Sequence, residues 1–200
     1  MRRILADHGV LGTDVEWFNR VDDSPNAGDP YRAPKDYRKQ ALASVTTHDL
    51  PPTAGYLNFA HVKLREELHL LSEPVEAFAA SAMAERTAMM NRLVENGYIS
   101  QTVADDVEGH VQEIVEAMHA MLTDTPSLLL QAALVDGVGE CRSQNQPGTS
   151  REYSNWRVPL ADSSGTCTYR RGLRPATRAV PSRRDAPREA VIDSGNGKLV

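Results

Sequence analysis

Cysteine is scarce in this chain. Cys141 and Cys167 are the only two, and they form no metal-like spacing and no disulfide framework. A reducing, cytoplasmic setting is the compartment they fit. Long apolar runs are missing as well. A membrane span needs roughly 18 consecutive apolar residues, whereas the longest candidate, Leu128 to Leu130 with Ala132 to Val135, is broken by Gln131. The opening Met1-Arg2-Arg3 has no apolar stretch of about seven residues behind it, so neither a secretory leader nor a membrane partner is expected. No internal repeat is present.

What is present suits one ordinary domain. The 200 residues are 40% hydrophobic with a mean hydropathy of −0.44, enough for a real core in a soluble chain. The charge changes sign along the sequence. Residues 1–165 carry a net −10 and residues 166–200 a net +5, which marks a compositional boundary near Gly165. The boundary divides a folded part, 1–165, from an Arg/Pro-rich tail, 166–200, expected to be disordered. With Tyr169 as its one aromatic and no recognisable binding module, the tail does not call for a nucleic-acid partner.

Local signals then give an order of elements. A helix end over Arg2–His8 is closed by Gly9. A strand is expected over Thr13–Phe18, a Gly/Pro-punctuated loop over Val21–Lys35, and a short buried strand over Leu42–Thr46. Pro51-Pro52 stops that strand ahead of a helix. Helical spacing is clearest from Val75 through Val94, with Ser72 as cap, Pro74 in the first turn and Asn96-Gly97 as the stop. A second helix is read over Ala104–Leu122 on Val107, Val111, Ile114, Val115, Met118 and Met121. Ser127–Ala133 reads as another buried strand, Val135–Glu140 as a helical turn, and Gln144–Leu160 as loop. Strand, helical crossover and strand in this order predict an α/β fold with a parallel sheet. Three strands leave open edges, and the helical pair can bury its stripes against itself.

The most informative stretch is Ala43–Tyr56, Ala-Ser-Val-Thr-Thr-His-Asp-Leu-Pro-Pro-Thr-Ala-Gly-Tyr. It delivers His48 and Asp49 to the carboxyl end of a strand, where α/β barrels keep catalytic groups. With Gly12–Phe18, Thr125-Pro126-Ser127 followed by the apolar strand and Asp136, and Gln144–Leu160 (Pro-Gly-Thr, then Asn-Trp-Arg), it resembles the bacterial 4-α-glucanotransferases, also called amylomaltases or disproportionating enzymes. The likeness runs from about Val10 to about Asp162. It implies a partial (β/α)8, TIM-type barrel: C-terminal strands and helices with a helical insertion, the blocks standing for strands six to eight. The implied reaction is retaining transfer of α-1,4-glucan segments between maltose, maltodextrins and related sugars, with no cofactor and no metal. By the resemblance, Asp49 matches the family's transition-state-stabilising carboxylate and His48 its sugar-contacting histidine. Ser154 departs from the family's usual proline.

Retaining transfer also needs a carboxylate nucleophile and an acid/base carboxyl. The segments carrying them in the family lie upstream of the resemblance. The expectation is therefore a fragment inactive alone, either truncated or completed by a separate chain supplying the N-terminal barrel half. A non-catalytic remnant or interaction module is the alternative. Beyond Asp162 the chain leaves the family pattern, consistent with a change of reading frame near Gly165.

Other residues are weighed individually. Trp156 could stack on a sugar face or anchor its loop, and Asn155 and Arg157 are equally open. Asn145 sits well for a sugar hydroxyl. Asp106, His110 and Glu113 share a spacing suited to metal ligands but read better as a solvated helix face, as do Glu66, Glu67 and His69. Met83, Met89, Met90, Met118 and Met121 read as core or helix-contact filler.

Overall fold

The computed structural model describes residues 2–21 and 26–166; the expected tail, apart from Thr166, lies outside them. Three short parallel strands, β1 (Gly12–Val15), β2 (Ala41–Ser44) and β3 (Leu129–Gln131), form one sheet in the order β1-β2-β3. Thr13 is in register with Leu42, and Leu42 with Leu129. β2 takes the centre because its small side chains allow close cover: Ala41, Ala43 and Ser44 are all buried. The helices are α1 (Arg2–Asp7), α2 (Thr53–Leu57), α3 (Ala60–Glu67), α4 (Val75–Glu95), α5 (Gln101–Asp105), α6 (Val111–Thr123) and α7 (Leu134–Gly137). α2 to α6 make the crossover between β2 and β3. Met89, Leu93, Ile114, Met118 and Met121 pack with Ala43, Val45 and Leu57 in a single core. Among the described residues, no helix is long and apolar enough to cross a membrane.

Several boundaries differ from the sequence reading. The strand expected over Thr13–Phe18 ends at Val15, and Glu16–Phe18 form a 3-10 turn that carries Glu16 and Trp17 inward. Trp17 stacks on Tyr56 there, ring centroids 4.0 Å apart. α4 starts beside Pro74 with no side-chain cap, so Ser72 does not cap it. Asn96 and Gly97 do end it, Gly97 taking the left-handed φ of 74°.

The helix read over 104–122 is broken. Asp106 leaves helical geometry, and its carboxylate accepts from the Gly109 backbone N–H at 3.1 Å, so a 3-10 turn separates α5 from α6. Asp106, His110 and Glu113 therefore share no continuous helical face. His110 Nδ1 lies 3.1 Å from Glu113 and its Nε2 4.0 Å from Asp106 on an exposed surface, and no grouping suited to a metal occurs among the described residues. The strand expected to be buried over Ser127–Ala133 is instead exposed, with Leu128, Leu129 and Leu130 each about half accessible. Met83 is likewise exposed rather than core.

Candidate carbohydrate site

The turn that follows β2 carries the candidate site. Thr46 steadies it from inside, donating its hydroxyl to the Pro51 carbonyl at 2.9 Å. Pro52 then starts α2, whose first turn is capped from far along the chain. The Asp136 carboxylate accepts from the Thr53 N–H and the Thr53 hydroxyl, both at 2.8 Å. Burial pushes the Asp136 carboxyl up, against those two hydrogen bonds and the His119 imidazole 3.5 Å away. Gly55 faces the Cys141 carbonyl so closely that a Cβ there would lie 2.2 Å from its oxygen. These contacts dock the base of a second loop, 141–160, onto α2.

That loop is pinched at its base by one buried carboxylate. Glu140 Oε1 accepts from the Cys141 N–H at 3.0 Å and from the Arg142 N–H and Nε, both at 2.9 Å. Its Oε2 accepts from Arg142 Nη2 at 2.7 Å and from the Ala161 N–H at 3.0 Å. Burial opposes the charge, but the hydrogen bonds from Arg142 and Ala161 outweigh it and hold the carboxyl below its ordinary range. Farther out, Tyr153 donates to the Ser143 carbonyl at 2.6 Å. The Asn155 amide accepts from the Gln146 N–H at 2.7 Å and donates to Thr149 Oγ1 at 2.8 Å. Asn155 thus spends its polar groups inside the loop.

The two loops meet at Asp49. Asn145 Nδ2 donates to Asp49 Oδ1 at 2.7 Å, joining segments 96 residues apart. His48 Nε2 lies 3.4 Å from Asp49 Oδ2. The His48 and Trp156 rings are 5.3 Å apart at 42°. All four candidate residues, His48, Asp49, Asn145 and Trp156, are therefore gathered at one surface. The side chains of His48 and Asp49 are 64% and 51% exposed, and Trp156 is 64% exposed. Trp156 holds a left-handed φ of 62°, a conformation costing a bulky side chain about 1–3 kcal/mol, kept by its N–H donating to the Gln144 carbonyl at 2.9 Å. An accessible carboxylate flanked by an imidazole, an amide and an indole face has the chemistry of sugar recognition: acceptors and donors for hydroxyls, and an apolar plane for a pyranose.

The supporting roles of four residues carried no sequence signal: Thr53, Gly55 and Asp136 stood only as members of matching blocks, and Glu140 as the end of a helical turn. The burial of Glu16, inside the Gly12–Phe18 block, was missed too. This side chain is fully buried 3.6 Å from the Arg92 guanidinium, whose Nη2 donates to the Tyr37 hydroxyl at 2.9 Å. This cluster lies in the core rather than at the candidate site.

A polar cluster on the turn after a parallel strand is the layout of an α/β enzyme, and comparison with known proteins narrows the class. A family profile described as 4-alpha-glucanotransferase matches residues 1–164. The 4-alpha-glucanotransferases of Mycobacterium bovis and Mycobacterium tuberculosis are 49% identical over 165 residues, covering 82% of this chain and 22% of theirs. That of Haemophilus influenzae is 26% identical over 129 residues, covering 63% of this chain and 18% of its own. Among solved structures, amylomaltase from Corynebacterium glutamicum matches with a TM-score of 0.75 at 38% identity, over 83% of this chain and 24% of that one. The chain belongs to the 4-alpha-glucanotransferase family. It spans about a fifth of the length of the curated relatives it matches.

Proposed function

We propose that this chain carries one wall of a retaining 4-alpha-glucanotransferase site acting on α-1,4-glucans such as maltose and maltodextrins. In this reading β1, β2 and β3 are consecutive strands of a (β/α)8 barrel, the sixth to eighth. The observation that carries the proposal is the Asn145–Asp49 hydrogen bond, with His48 and Trp156 beside it. Asp49 supplies a negative charge beside the oxocarbenium-like centre of the transition state and orients sugar hydroxyls. Asn145 fixes the carboxylate, and Trp156 offers a stacking plane. The nucleophile and the acid/base carboxyl of the double displacement come from outside this chain. Its partners among the described residues, an imidazole and an amide, suit Asp49 to stabilising charge rather than to the paired-carboxylate role.

A chimera tests this. Residues 1–164 would replace the matching segment of the Mycobacterium tuberculosis enzyme, and the product would be incubated with maltotriose. The expected result is glucose together with longer oligomers from the chimera and neither from this chain alone. Asp49→Asn in the chimera should lower kcat by at least about 100-fold while leaving KM within a few-fold, since the lost charge acts mainly in the transition state. A folded chimera with no transfer would overturn the reading. Near-full turnover in Asp49→Asn would remove that residue from the mechanism.

A further inference from the structure

We propose that Glu140 is the positioning residue that seats the Asn145–Trp156 loop on the His48–Asp49 turn. The inference rests on the carbohydrate reading only for its purpose; the seating itself is a property of this chain. The carboxylate is almost wholly buried, and its hydrogen bonds run to Cys141, Arg142 and Ala161. It thereby takes N–H groups from both ends of the loop, Cys141 and Arg142 at one and Ala161 at the other. Arg142 doubles the clasp by donating Nη2 to the Pro159 carbonyl at 2.8 Å.

A carboxylate can satisfy these donors because it is acceptor-only. A glutamine in its place would turn an NH2 group toward N–H donors and release at least one end of the loop. The outer loop holds its own shape through Tyr153, Asn155 and Trp156. Opening the base would therefore swing the tip away as a unit, separating Asn145 from Asp49 and Trp156 from His48. The chain brings its own probe. Its two tryptophans are Trp17, buried against Tyr56, and Trp156, exposed beside His48.

In a Trp17→Phe background the remaining indole reports on the loop, because its emission depends on the ring packed against it and on its access to water. The expected parent result is a drop in emission relative to its His48→Gln variant, in which that ring is gone. Glu140→Gln should lose that drop while the far-ultraviolet circular dichroism of the helices is retained, and Glu140→Asp, which keeps the charge, should recover part of it. A Glu140→Gln variant that keeps the parent's full His48-dependent drop would overturn the proposal. Should Glu140→Gln fail to fold, Glu140→Asp and Arg142→Met decide: the parent's full drop in both overturns it, and a reduced drop in Arg142→Met supports it. A maltotriose titration of the parent separates the two ideas. Absence of sugar binding with the drop intact counts against the carbohydrate reading and leaves the seating standing.

Discussion

Glu16 and His61 are buried ionisable side chains that act on stability in opposite senses. Burial raises the Glu16 carboxyl from 4.5 to about 7, with Arg92 opposing. The folded chain thus keeps a proton that the unfolded chain has released, so this contribution is full below about pH 4.5 and lost as pH rises toward about 7. Burial lowers the His61 imidazole from 6.5 to about 4, and Arg65 adds to the effect. Here the unfolded chain takes up a proton that the fold refuses, so stability is full above about pH 6.5 and lost as pH falls toward about 4. Each effect amounts to about 3 kcal/mol at its limit. Between the two the slopes offset one another. His61→Phe keeps a ring against Tyr56 and Phe78, 4.4 and 6.0 Å away by centroid. Relative to the parent, this variant should gain stability progressively as pH drops from about 6.5, as measured by urea unfolding at several pH values. An unchanging difference across that range would mean His61 is not held neutral by the fold.

At the level of elements, what was legible in the sequence is what local chemistry writes there. α4 lies between Pro74 and Asn96-Gly97 because both ends carry their own stop signals. The break between α5 and α6 was not legible, because the Val107, Val111, Ile114 and Met118 spacing runs through it while a side-chain contact at Asp106 ends the helix. β3 was misread for a related reason: a run of leucines states what a strand prefers, not whether neighbours cover it. The candidate site was legible as four residues in two family-like segments. What holds them was not, since the Glu140 clasp and the Asp136 cap on Thr53 join positions far apart in sequence or in loops without period. Gly55 illustrates the hidden layer. Gly55→Ala would push a methyl group to 2.2 Å from the Cys141 oxygen, so α2 or the base of loop 141–160 must shift. A loss of about 1–3 kcal/mol is expected in urea unfolding, with a smaller amount of indole quenching by His48. Wild-type stability would mean that this contact is slack.

On the scale of the whole molecule, the two sides of the sheet are not equivalent. Along β1, Gly12 donates its N–H to the Gln40 carbonyl just ahead of β2, so the next residue, Thr13, turns its backbone groups outward. The Thr13 carbonyl is taken by Arg38 Nη2 at 2.6 Å, and the same guanidinium is held by Asp14, with Nε 2.8 Å from its carboxylate. A charged clamp thus lies across that border of the sheet in the chain alone; in the proposed barrel the fifth strand pairs there, and this guanidinium must swing aside to admit it. β3 presents the half-exposed Leu128, Leu129 and Leu130, with Leu134 just beyond. Among the described residues, copies of the chain that meet through their sheets therefore have one open border each. Joining β3 to β3 about a two-fold axis uses both and leaves nothing to extend, whereas β3 to β1 would propagate without limit and is obstructed by Arg38. Self-association on concentration should accordingly stop at pairs, visible as a monomer–dimer equilibrium in sedimentation. Arg38→Ala should turn that closed equilibrium into open-ended growth, making one guanidinium the difference between a dimer and a fibre.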